Sequence, residues 1–198
     1  GTGTLSLGGV SLYTGRTEVQ EGTLQAAADD ALAEKSAFTI AAGATLDLAG
    51  FKATIGSLAG AGAVTLNAAT SELSVGGDGT STVFSGMISG EGGLNKFGSG
   101  TLALTADNTY QGTTTITGGT LQVDGSIADS SVVVGANGTL SGIGTVGATT
   151  VAGILSGGNA ANPAGTITIK GNLALQATAT LTTTVTANGM SQVAVERD

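Results

Sequence analysis

The sequence of 198 residues contains no cysteine and no histidine. Without cysteine, the chain cannot form disulfides, thiolate metal sites or thiol nucleophiles. Without histidine, it cannot use Ser-His-Asp or Cys-His catalysis, histidine-ligated zinc or imidazole acid–base chemistry. A chain of this size that lacks both residue types is a poor enzyme candidate, so we expect no catalytic, cofactor-binding or metal-binding residue and no small-molecule substrate.

Basic residues are also scarce. The sequence has 6 Lys and Arg residues against 14 Asp and Glu residues, for a formal net charge of -8. The basic residues lie singly along the chain, at Arg16, Lys35, Lys52, Lys96, Lys170 and Arg197. Because no basic patch exists to neutralise phosphates, we expect neither nucleic acid nor anionic lipid as a partner.

Long apolar runs are missing as well. Gly, Thr, Ser or a charge interrupts every apolar run well before the ~20 residues that a membrane-spanning helix needs, which predicts a soluble piece. The first residues, GTGTLSLGG, show no basic segment followed by an apolar core, so no signal peptide is predicted. Since they also begin within a repeat, we expect the chain to be a fragment of a longer protein.

Small residues take the place of large side chains in this sequence. Only 3% of the residues are aromatic, whereas 35 are glycine and one is proline. The apolar mass therefore lies in Val, Ile, Leu and Ala, and the frequent β-branched Thr favours strands. This composition predicts a repetitive β architecture with many small, similar layers.

The sequence contains an internal repeat. Its most complete copy is 92–122, GGLNKFGSGTLALTADNTYQGTTTITGGTLQ, and residues 1–25 align with residues 98–122 without a gap. Self-similarity on this scale is the signature of a repeat architecture. The two copies share four glycines and a tyrosine, which we expect to pack over a corner: Gly1/Gly98, Gly3/Gly100, Gly15/Gly112, Gly22/Gly119 and Tyr13/Tyr110.

Short alternating runs, bounded by Gly, Asn or Asp, fill the rest of the chain and predict strands and turns. The alternation places aliphatic side chains inward and polar side chains outward, as for Leu46 and Leu48 against Asp47. Only residues 26–35, AAADDALAEK, predict a helix, of one or two turns, because they are rich in Ala and free of Gly and β-branched residues.

Strands separated by single glycines favour a parallel β-helix, in which each coil buries its apolar face against its neighbours. With ~20 to 25 residues in a coil, roughly eight to ten coils are predicted. Because the last coil of a solenoid has unpaired edges and an open core, we predict a cap over residues 146–195. Within it, residues 178–186, TATLTTTVT, are predicted as one long strand with Leu181, Thr183 and Val185 on one face, before a hairpin turn at Asn188-Gly189.

Two stretches closely resemble a known family: residues 92–123 and the sequel 138–158, GTLSGIGTVGATTVAGILSGG. Together they resemble the passenger-associated repeat and the following C-terminal autochaperone region of bacterial type V autotransporters, and residues 22–62 look like an upstream copy of the repeat. The resemblance implies an all-β fold, a right-handed parallel β-helix (solenoid) with a C-terminal β cap. Where relatives often show a Pro-Gly turn after paired glycines, this chain has residues 158–163, GNAANP, a difference that affects this loop and not the fold.

The resemblance also assigns positions within the family motifs. The aromatic corner and turns of the repeat fall on Tyr110, Gly112, Gly118 and Gly119, the autochaperone turns on Gly142, Gly144 and Gly147, and its last strand on residues 191–195. It divides the chain into a β-helix stalk with an upstream passenger repeat (1–90), the passenger-associated repeat and following coils (91–145), and a C-terminal cap or autochaperone region (146–198).

The function that the resemblance implies is a structural stalk and intramolecular folding module of a secreted, surface-displayed passenger. Its implied partner is its own outer-membrane β-barrel translocator, absent from this chain, and its implied location is the cell surface, attached at the outer membrane after transit through the periplasm. Any catalytic activity would reside upstream. The alternative is an adhesin or self-association surface that contacts host cells, matrix or sister passengers.

The folding role directs attention to the inward aliphatic residues of the last coils, because folding of a solenoid can begin at one end and propagate. The residues that we expect to form this nucleus are Leu121, Val123, Val132, Val134, Leu140, Val146, Val151, Leu155, Ile167, Ile169, Leu173 and Leu175.

Several other motifs have plainer alternatives. Residues 142–147 satisfy GxGxxG, but a threonine/valine strand follows where a dinucleotide site needs a helix, so coil turns are favoured. Residues 76–79, GGDG, resemble part of a calcium-binding repeat, but they occur once and calcium β-rolls need tandem copies, so a turn is favoured.

Outward side chains raise two further alternatives. Asp47, Glu72, Asp107 and Asp124 could serve as glycosidic carboxylates, but they are unclustered and read better as solvated faces. The threonine runs 113–115 and 180–186 could form a flat ordered surface, although threonines more often simply form strands on a wet face. The sequon at residues 137–139 is interpreted as a turn.

Overall fold

The computed structural model describes residues 1–196. No helix occurs in that range, and so none that could cross a membrane. In chain order the strands are β1 (Thr4–Leu7), β2 (Thr17–Val19), β3 (Thr23–Ala26), β4 (Ala37–Ile40), β5 (Thr45–Asp47), β6 (Lys52–Ile55), β7 (Ser57–Gly60), β8 (Ala63–Leu66), β9 (Glu72–Val75), β10 (Thr82–Phe84), β11 (Ile88–Gly90), β12 (Gly93–Lys96), β13 (Thr101–Leu104), β14 (Thr114–Ile116), β15 (Gly119–Val123), β16 (Ser126–Ile127), β17 (Val132–Val134), β18 (Gly138–Gly142), β19 (Thr145–Val146), β20 (Thr149–Val151), β21 (Ile154–Ser156), β22 (Thr166–Lys170), β23 (Leu173–Leu175), β24 (Thr180–Thr182), β25 (Val185–Thr186), β26 (Gly189–Met190) and β27 (Gln192–Glu196).

The strands stack into a parallel solenoid with three faces. The second face is one sheet in the order β2-β4-β7-β10-β13-β15-β18-β21-β24, so the solenoid has 9 turns. The third face has the order β6-β9-β12-β14-β17-β20-β23, and the first face consists of β1-β3-β5-β8-β11 followed by β16-β19-β22-β27. The strand pairs of these faces are parallel. The predicted all-β parallel solenoid is confirmed.

One aliphatic core runs along the inside of the three faces. On the second face, the strand register stacks Leu102, Leu121, Leu140 and Leu155 one above another, and each is at most 1% exposed. Burying a leucine side chain contributes about 1.5 to 3 kcal/mol relative to leaving it exposed. The short strands are therefore held by stacking between coils, because each has too few residues to be stable alone.

The predicted helix at residues 26–35 is wrong. Residue 26 ends β3, and the rest forms turns in which Ala31, Leu32 and Ala33 are buried. The backbone N–H of Asp30 donates to the carbonyl of Lys52 at 2.9 Å, which ties the segment to the next coil. A helix of this length is marginal in isolation, so the burial and these contacts outweigh the helix propensity of the alanines.

The solenoid continues through much of the region predicted as a cap. Strands β19 to β22 pair with preceding coils, and Val146, Val151 and Ile167 are fully buried. Within the predicted cap, the last coil, with β23, β24 and β27, ends the three faces and is paired on one side within the described residues. Strand pairing also crosses residues 90 and 145, so the division at these limits stays a prediction, and residues 197 and 198 of its last part lie outside the described residues.

The predicted long strand at residues 178–186 is wrong, whereas the hairpin after it is confirmed. Strand β24 ends at Thr182, and β25 pairs antiparallel with β26 through Thr186 and Gly189. The break arises because Thr184 and Ser191 exchange two hydrogen bonds of 2.8 Å that turn the chain. The turn residues are Ala187 and Asn188, one position before the predicted pair.

Candidate functional site: the repeat corner and the outer faces

The two copies of the repeat have the same local structure on different faces. In the first copy, β1 pairs with β3 on the first face through Thr4 and Thr23. In the second copy, β13 pairs with β15 on the second face through Thr101 and Thr120, which are the equivalent residues. In both copies, the chain then skips one face of the coil. The segment that passes this face has no strand, and it leads to the next strand, β2 or β14. The repeat therefore encodes a strand, a corner segment and two further strands, independently of the face that it occupies.

A hydrogen-bonded chain of three hydroxyls holds the corner of the second copy. The hydroxyl of Tyr110 bonds that of Thr114 at 2.6 Å, and Thr114 bonds Ser130 of the next coil at 2.7 Å. All three residues are fully buried, and Ser130 also donates to the carbonyl of Gly112 at 2.7 Å. Burial, partly offset by hydrogen bonds with Thr114 and Ser130, raises the pKa of Tyr110 to about 12. The prediction that Tyr110 packs at a coil corner is confirmed.

The first copy repeats this arrangement in a more open form. Tyr13 bonds Thr17 at 2.7 Å, and Thr17 bonds Ser36 of the next coil at 2.8 Å. Ser36 is buried, but Tyr13 is 42% exposed. The spacing of Tyr and Thr was visible in the sequence, whereas the serine was not, because it lies a different number of residues away in the two copies.

Asn108 is a buried residue of the corner that the sequence analysis did not single out. Its side-chain oxygen accepts from the backbone N–H of Ile88 at 2.9 Å, and its amide group donates to the carbonyls of Ala106 and Ser126. The side chain thus joins the coil before it to the coil after it where the first face has no strand. Its place between a strand and the corner tyrosine is the signal that could have identified it.

Lys96 lies at an inward position of β12 and is 2% exposed. Its ammonium group donates to the carbonyl of Phe97 at 2.6 Å, and the carbonyls of Gly98 and Gly118 lie at 3.5 and 3.4 Å. Burial lowers the pKa of Lys96. Because Gly118 belongs to the next coil, this lysine links two successive corners. The alternation of residues in β12 predicts an inward side chain for Lys96, whereas its charge favours an exposed one.

The predicted nucleus residues lie together in the core, with one exception. Leu175 is 50% exposed, so its predicted burial is wrong, and Leu173 is partly buried. Both belong to β23, the last strand of the third face, and no further described strand covers them. The residues that are at most 1% exposed are Leu121, Val123, Val132, Val134, Leu140, Val146, Val151, Leu155, Ile167 and Ile169.

The outward carboxylate of Asp47 belongs to a polar ladder along the first face. Asp47 accepts hydrogen bonds of 2.7 to 2.9 Å from Gln25, Ala49, Thr65 and Asn67, residues of its own and neighbouring coils. These four donors use the acceptor capacity of the carboxylate, so the ladder joins three coils along the first face.

The other three carboxylates lie in different surroundings. Asp124 accepts from Gln122 at 2.7 Å and Asn159 at 2.9 Å, Glu72 pairs with Lys52 at 3.7 Å, and Asp107 is exposed. Among residues 1–196, no group of three metal-ligating side chains is close enough to hold an ion.

The glycine motifs are turns, as predicted. Residues 142–147 span the end of β18, a bend and β19, and β20 follows. In the 76–79 turn, the Asp78 carboxylate accepts from Ser57 at 2.7 Å and from the backbone and hydroxyl of Thr80 at 2.9 and 2.8 Å. Partial burial would raise the pKa of Asp78, but these hydrogen bonds lower it below the usual value.

The threonine runs do not form one flat surface. Thr114 is buried in the corner, while Thr113 is exposed, and residues 180–186 are broken into β24 and β25. Asn137 of the sequon lies in a turn before β18, as predicted. In the loop at 158–163, Asn159 donates to Asp124, and the backbone N–H of Asn162 donates back to the side chain of Asn159 at 2.7 Å.

The comparisons with known proteins match the repeats. The family model of the passenger-associated-transport-repeat matches residues 1–26 and 94–123, the two copies described above. No solved structure matches the chain.

Three curated relatives match parts of the chain. The adhesin BmaC autotransporter of Brucella suis biovar 1 (strain 1330) is 39% identical over 105 residues, 52% of this chain. Two extracellular serine proteases of Serratia marcescens are 57% identical over 65 residues, 33% of this chain, and 43% identical over 84 residues, 42% of this chain. The matches span 3%, 6% and 8% of the relatives' lengths. The chain thus carries two passenger-associated-transport repeats, and parts of it are similar to an autotransporter adhesin and to extracellular serine proteases.

Proposed function

We propose that this chain belongs to the passenger of a surface-displayed type V autotransporter and forms the structural stalk of that passenger. Its C-terminal coils act as an intramolecular folding nucleus, which promotes folding and translocation. Its partner is the outer-membrane translocator of the same protein, and catalysis belongs to other parts of the passenger. The single observation that carries the proposal is the continuous core of a nine-turn solenoid that contains two passenger-associated-transport repeats.

The solenoid geometry supports a mechanism that starts at one end. Strands pair with the coil before and the coil after, so a folded coil provides the template for the next one. Coils that have folded outside the cell cannot return through a narrow pore without unfolding. Each added coil therefore opposes backsliding by the free energy of its buried core.

Buried polar contacts of the second repeat support a nucleus in the C-terminal half. The aliphatic core alone does not distinguish the two halves, because the inward aliphatic residues from β13 to β22 and the residues Leu46 and Leu58 are all at most 1% exposed. The corner of the second repeat adds buried polar residues: Asn108 and Lys96 bond to neighbouring coils, and Tyr110 reaches Ser130 of the next coil through Thr114. These contacts join successive coils through buried polar groups in the second repeat.

The test places aspartate in the core of the full-length passenger. Leu140→Asp with Val151→Asp disrupts the proposed nucleus, and Leu46→Asp with Leu58→Asp is the matched control, since all four residues are at most about 1% exposed. We expect the first pair to abolish surface display, measured by protease accessibility on intact cells, with unchanged synthesis. The second pair should leave the C-terminal coils displayed and protease-resistant.

Normal display of the first variant would contradict the folding role. Equal loss of display in both variants would also contradict it, because a uniform stalk with no preferred starting end would respond in this way.

Adhesion is a second candidate function. One relative is named as an adhesin and matches 52% of this chain, and several aliphatic side chains are exposed on the outer surface. Cells that display the passenger should then bind host matrix or one another, and replacement of the exposed aliphatic residues should reduce this binding while display is unchanged.

A further inference from the structure

Two outward positions of the first repeat, two residues apart, carry aliphatic residues where the second repeat carries polar ones. Val10 is 70% exposed and Leu12 is 87% exposed. In the ungapped alignment of the repeats, their equivalents are Asp107 and Thr109, which are also exposed. Single exposed aliphatic residues are normal. This pair is unusual because the second repeat has polar residues at the same outward positions.

A further coil before β1 would not bury these side chains. In the second copy, the corner segment is flanked on both sides, since Thr109 N–H donates to Ile88 at 2.9 Å and Asn108 N–H donates to Ser126 at 2.8 Å. Asp107 and Thr109 are nevertheless exposed there. The corresponding side chains therefore point away from the solenoid axis, and Val10 and Leu12 face the surroundings of the stalk.

A cleft of about 680 Å³ lies beside these two residues. Val10, Leu12 and Tyr13 line it together with the buried Leu32, and the hydrogen bond of Tyr13 to Thr17 holds the ring in place. The volume lies in the range of known ligand sites, which combine apolar walls with a few polar groups.

The charges of the cleft restrict its occupant. Its lining carries the carboxylates of Asp30 and Glu34 and the ammonium group of Lys35, an excess of one negative charge. Neither carboxylate forms an ion pair within residues 1–196. A second copy of this chain has a net charge of -8 and would be repelled at long range.

We propose that this cleft binds an extended segment of another protein that carries apolar side chains and at least one Lys or Arg. The apolar side chains pack on Val10 and Leu12, and the cation pairs with Asp30 or Glu34. Such an ion pair adds specificity and association rate at low salt. The inference rests on the adhesive candidate function and is independent of the folding role.

The test uses two labelled synthetic peptides of nine residues, one alternating Leu with Lys and one alternating Leu with Glu, with fluorescence anisotropy as the readout. The chain should bind the Leu/Lys peptide and not the Leu/Glu peptide. Val10→Asp with Leu12→Thr should weaken binding at least ~tenfold, a loss of about 1.4 kcal/mol. Asp30→Asn with Glu34→Gln should weaken it and reduce its dependence on salt.

Two matched variants distinguish the cleft from general adhesiveness. Val10→Asp with Leu12→Thr installs the residues of the second repeat, so the fold and the surface display of the full passenger should be unchanged. Asp107→Val with Thr109→Leu adds the same aliphatic pair at the other corner and should not increase peptide binding.

Three results would overturn the proposal. The first is equal binding of both peptides, and the second is unchanged Leu/Lys binding after Val10→Asp with Leu12→Thr. The third is a dimer of the chain, detected by sedimentation, that this double variant dissociates, because a second copy would then occupy the cleft. Loss of display in the same variant would instead contradict its assignment to the surface.

Discussion

The corner tyrosines of the two repeats differ in what surrounds them rather than in the hydrogen bond that they make. Tyr110 is fully buried and Tyr13 is 42% exposed, although both tyrosines make the same hydrogen bond to the threonine four residues on. The corner of Tyr110 has a described coil on each side, whereas that of Tyr13 has a described coil on one side. In a solenoid, the same sequence therefore contributes stability in proportion to the neighbours that it contacts.

The largest expected difference between the copies concerns the tyrosines. Tyr110→Ala removes a buried aromatic ring and leaves Thr114 and Ser130 with an empty volume, so we expect a loss of about 3 to 5 kcal/mol in the free energy of unfolding. Tyr13→Ala should cost less than about 1 kcal/mol because its ring is partly exposed. Urea unfolding of the two variants, followed by circular dichroism, measures both. Equal losses would contradict the comparison.

Replacement of the equivalent glycines Gly15 and Gly112 should show the same asymmetry. A Cβ atom at Gly112 would lie 2.3 Å from the carbonyl carbon of Gly92, whereas at Gly15 it would meet no heavy atom within 4 Å. Gly112→Ala should cost about 1 to 3 kcal/mol through overpacking, and Gly15→Ala should be neutral or slightly stabilising. The melting temperatures of the two variants test this, and a destabilised Gly15→Ala would show that the first corner is tighter than described.

The contribution of the Tyr110 hydroxyl to stability should depend on alkaline pH, and Tyr-to-Phe variants test this while they keep the aromatic ring. Since burial raises the folded-state pKa of Tyr110 from the ordinary tyrosine value to about 12, its contribution to stability is fully present below pH ~10 and is lost as the pH rises to ~12. The stability difference between the parent chain and Tyr110→Phe should therefore shrink over that range. Tyr13→Phe is the control. A difference that stays constant would contradict the burial of the Tyr110 hydroxyl.

The smallest effect is expected at acidic pH in the 76–79 turn. The lowered pKa of Asp78 means that its hydrogen bonds stabilise the fold above pH ~4, and this contribution is lost as the pH falls through the folded-state pKa. Asp78→Asn should therefore be slightly destabilised near neutral pH and should converge with the parent chain in acid. Urea midpoints at several pH values measure this, and a constant gap would argue against it.

Much of the fold could be predicted because the alternation of residues is strict. Leu121 and Val123 are inward and Asp124 is not buried, as the pattern requires, and single glycines separate the strands. Leu175 follows the same pattern but is exposed, because alternation indicates which face a residue occupies and not whether a further coil covers it.

The errors and omissions come from interactions between distant residues. The alanines of 26–35 favour a helix locally, but the carbonyl of Lys52 accepts from Asp30 and holds the segment in a turn. Lys96 and Asn108 were missed because each has a partner in another coil, the Gly118 carbonyl and the Ile88 N–H, which only the three-dimensional register brings close. The cleft beside Leu12 likewise depends on residues from three coils.

The most direct test of the account is pulse-labelling hydrogen exchange during refolding of the intact chain from urea. The account predicts that amides of β18 to β22 become protected first and that protection then spreads toward β1. Earlier protection of β4 to β9, or protection of all coils at one rate, would contradict a folding nucleus in the C-terminal coils.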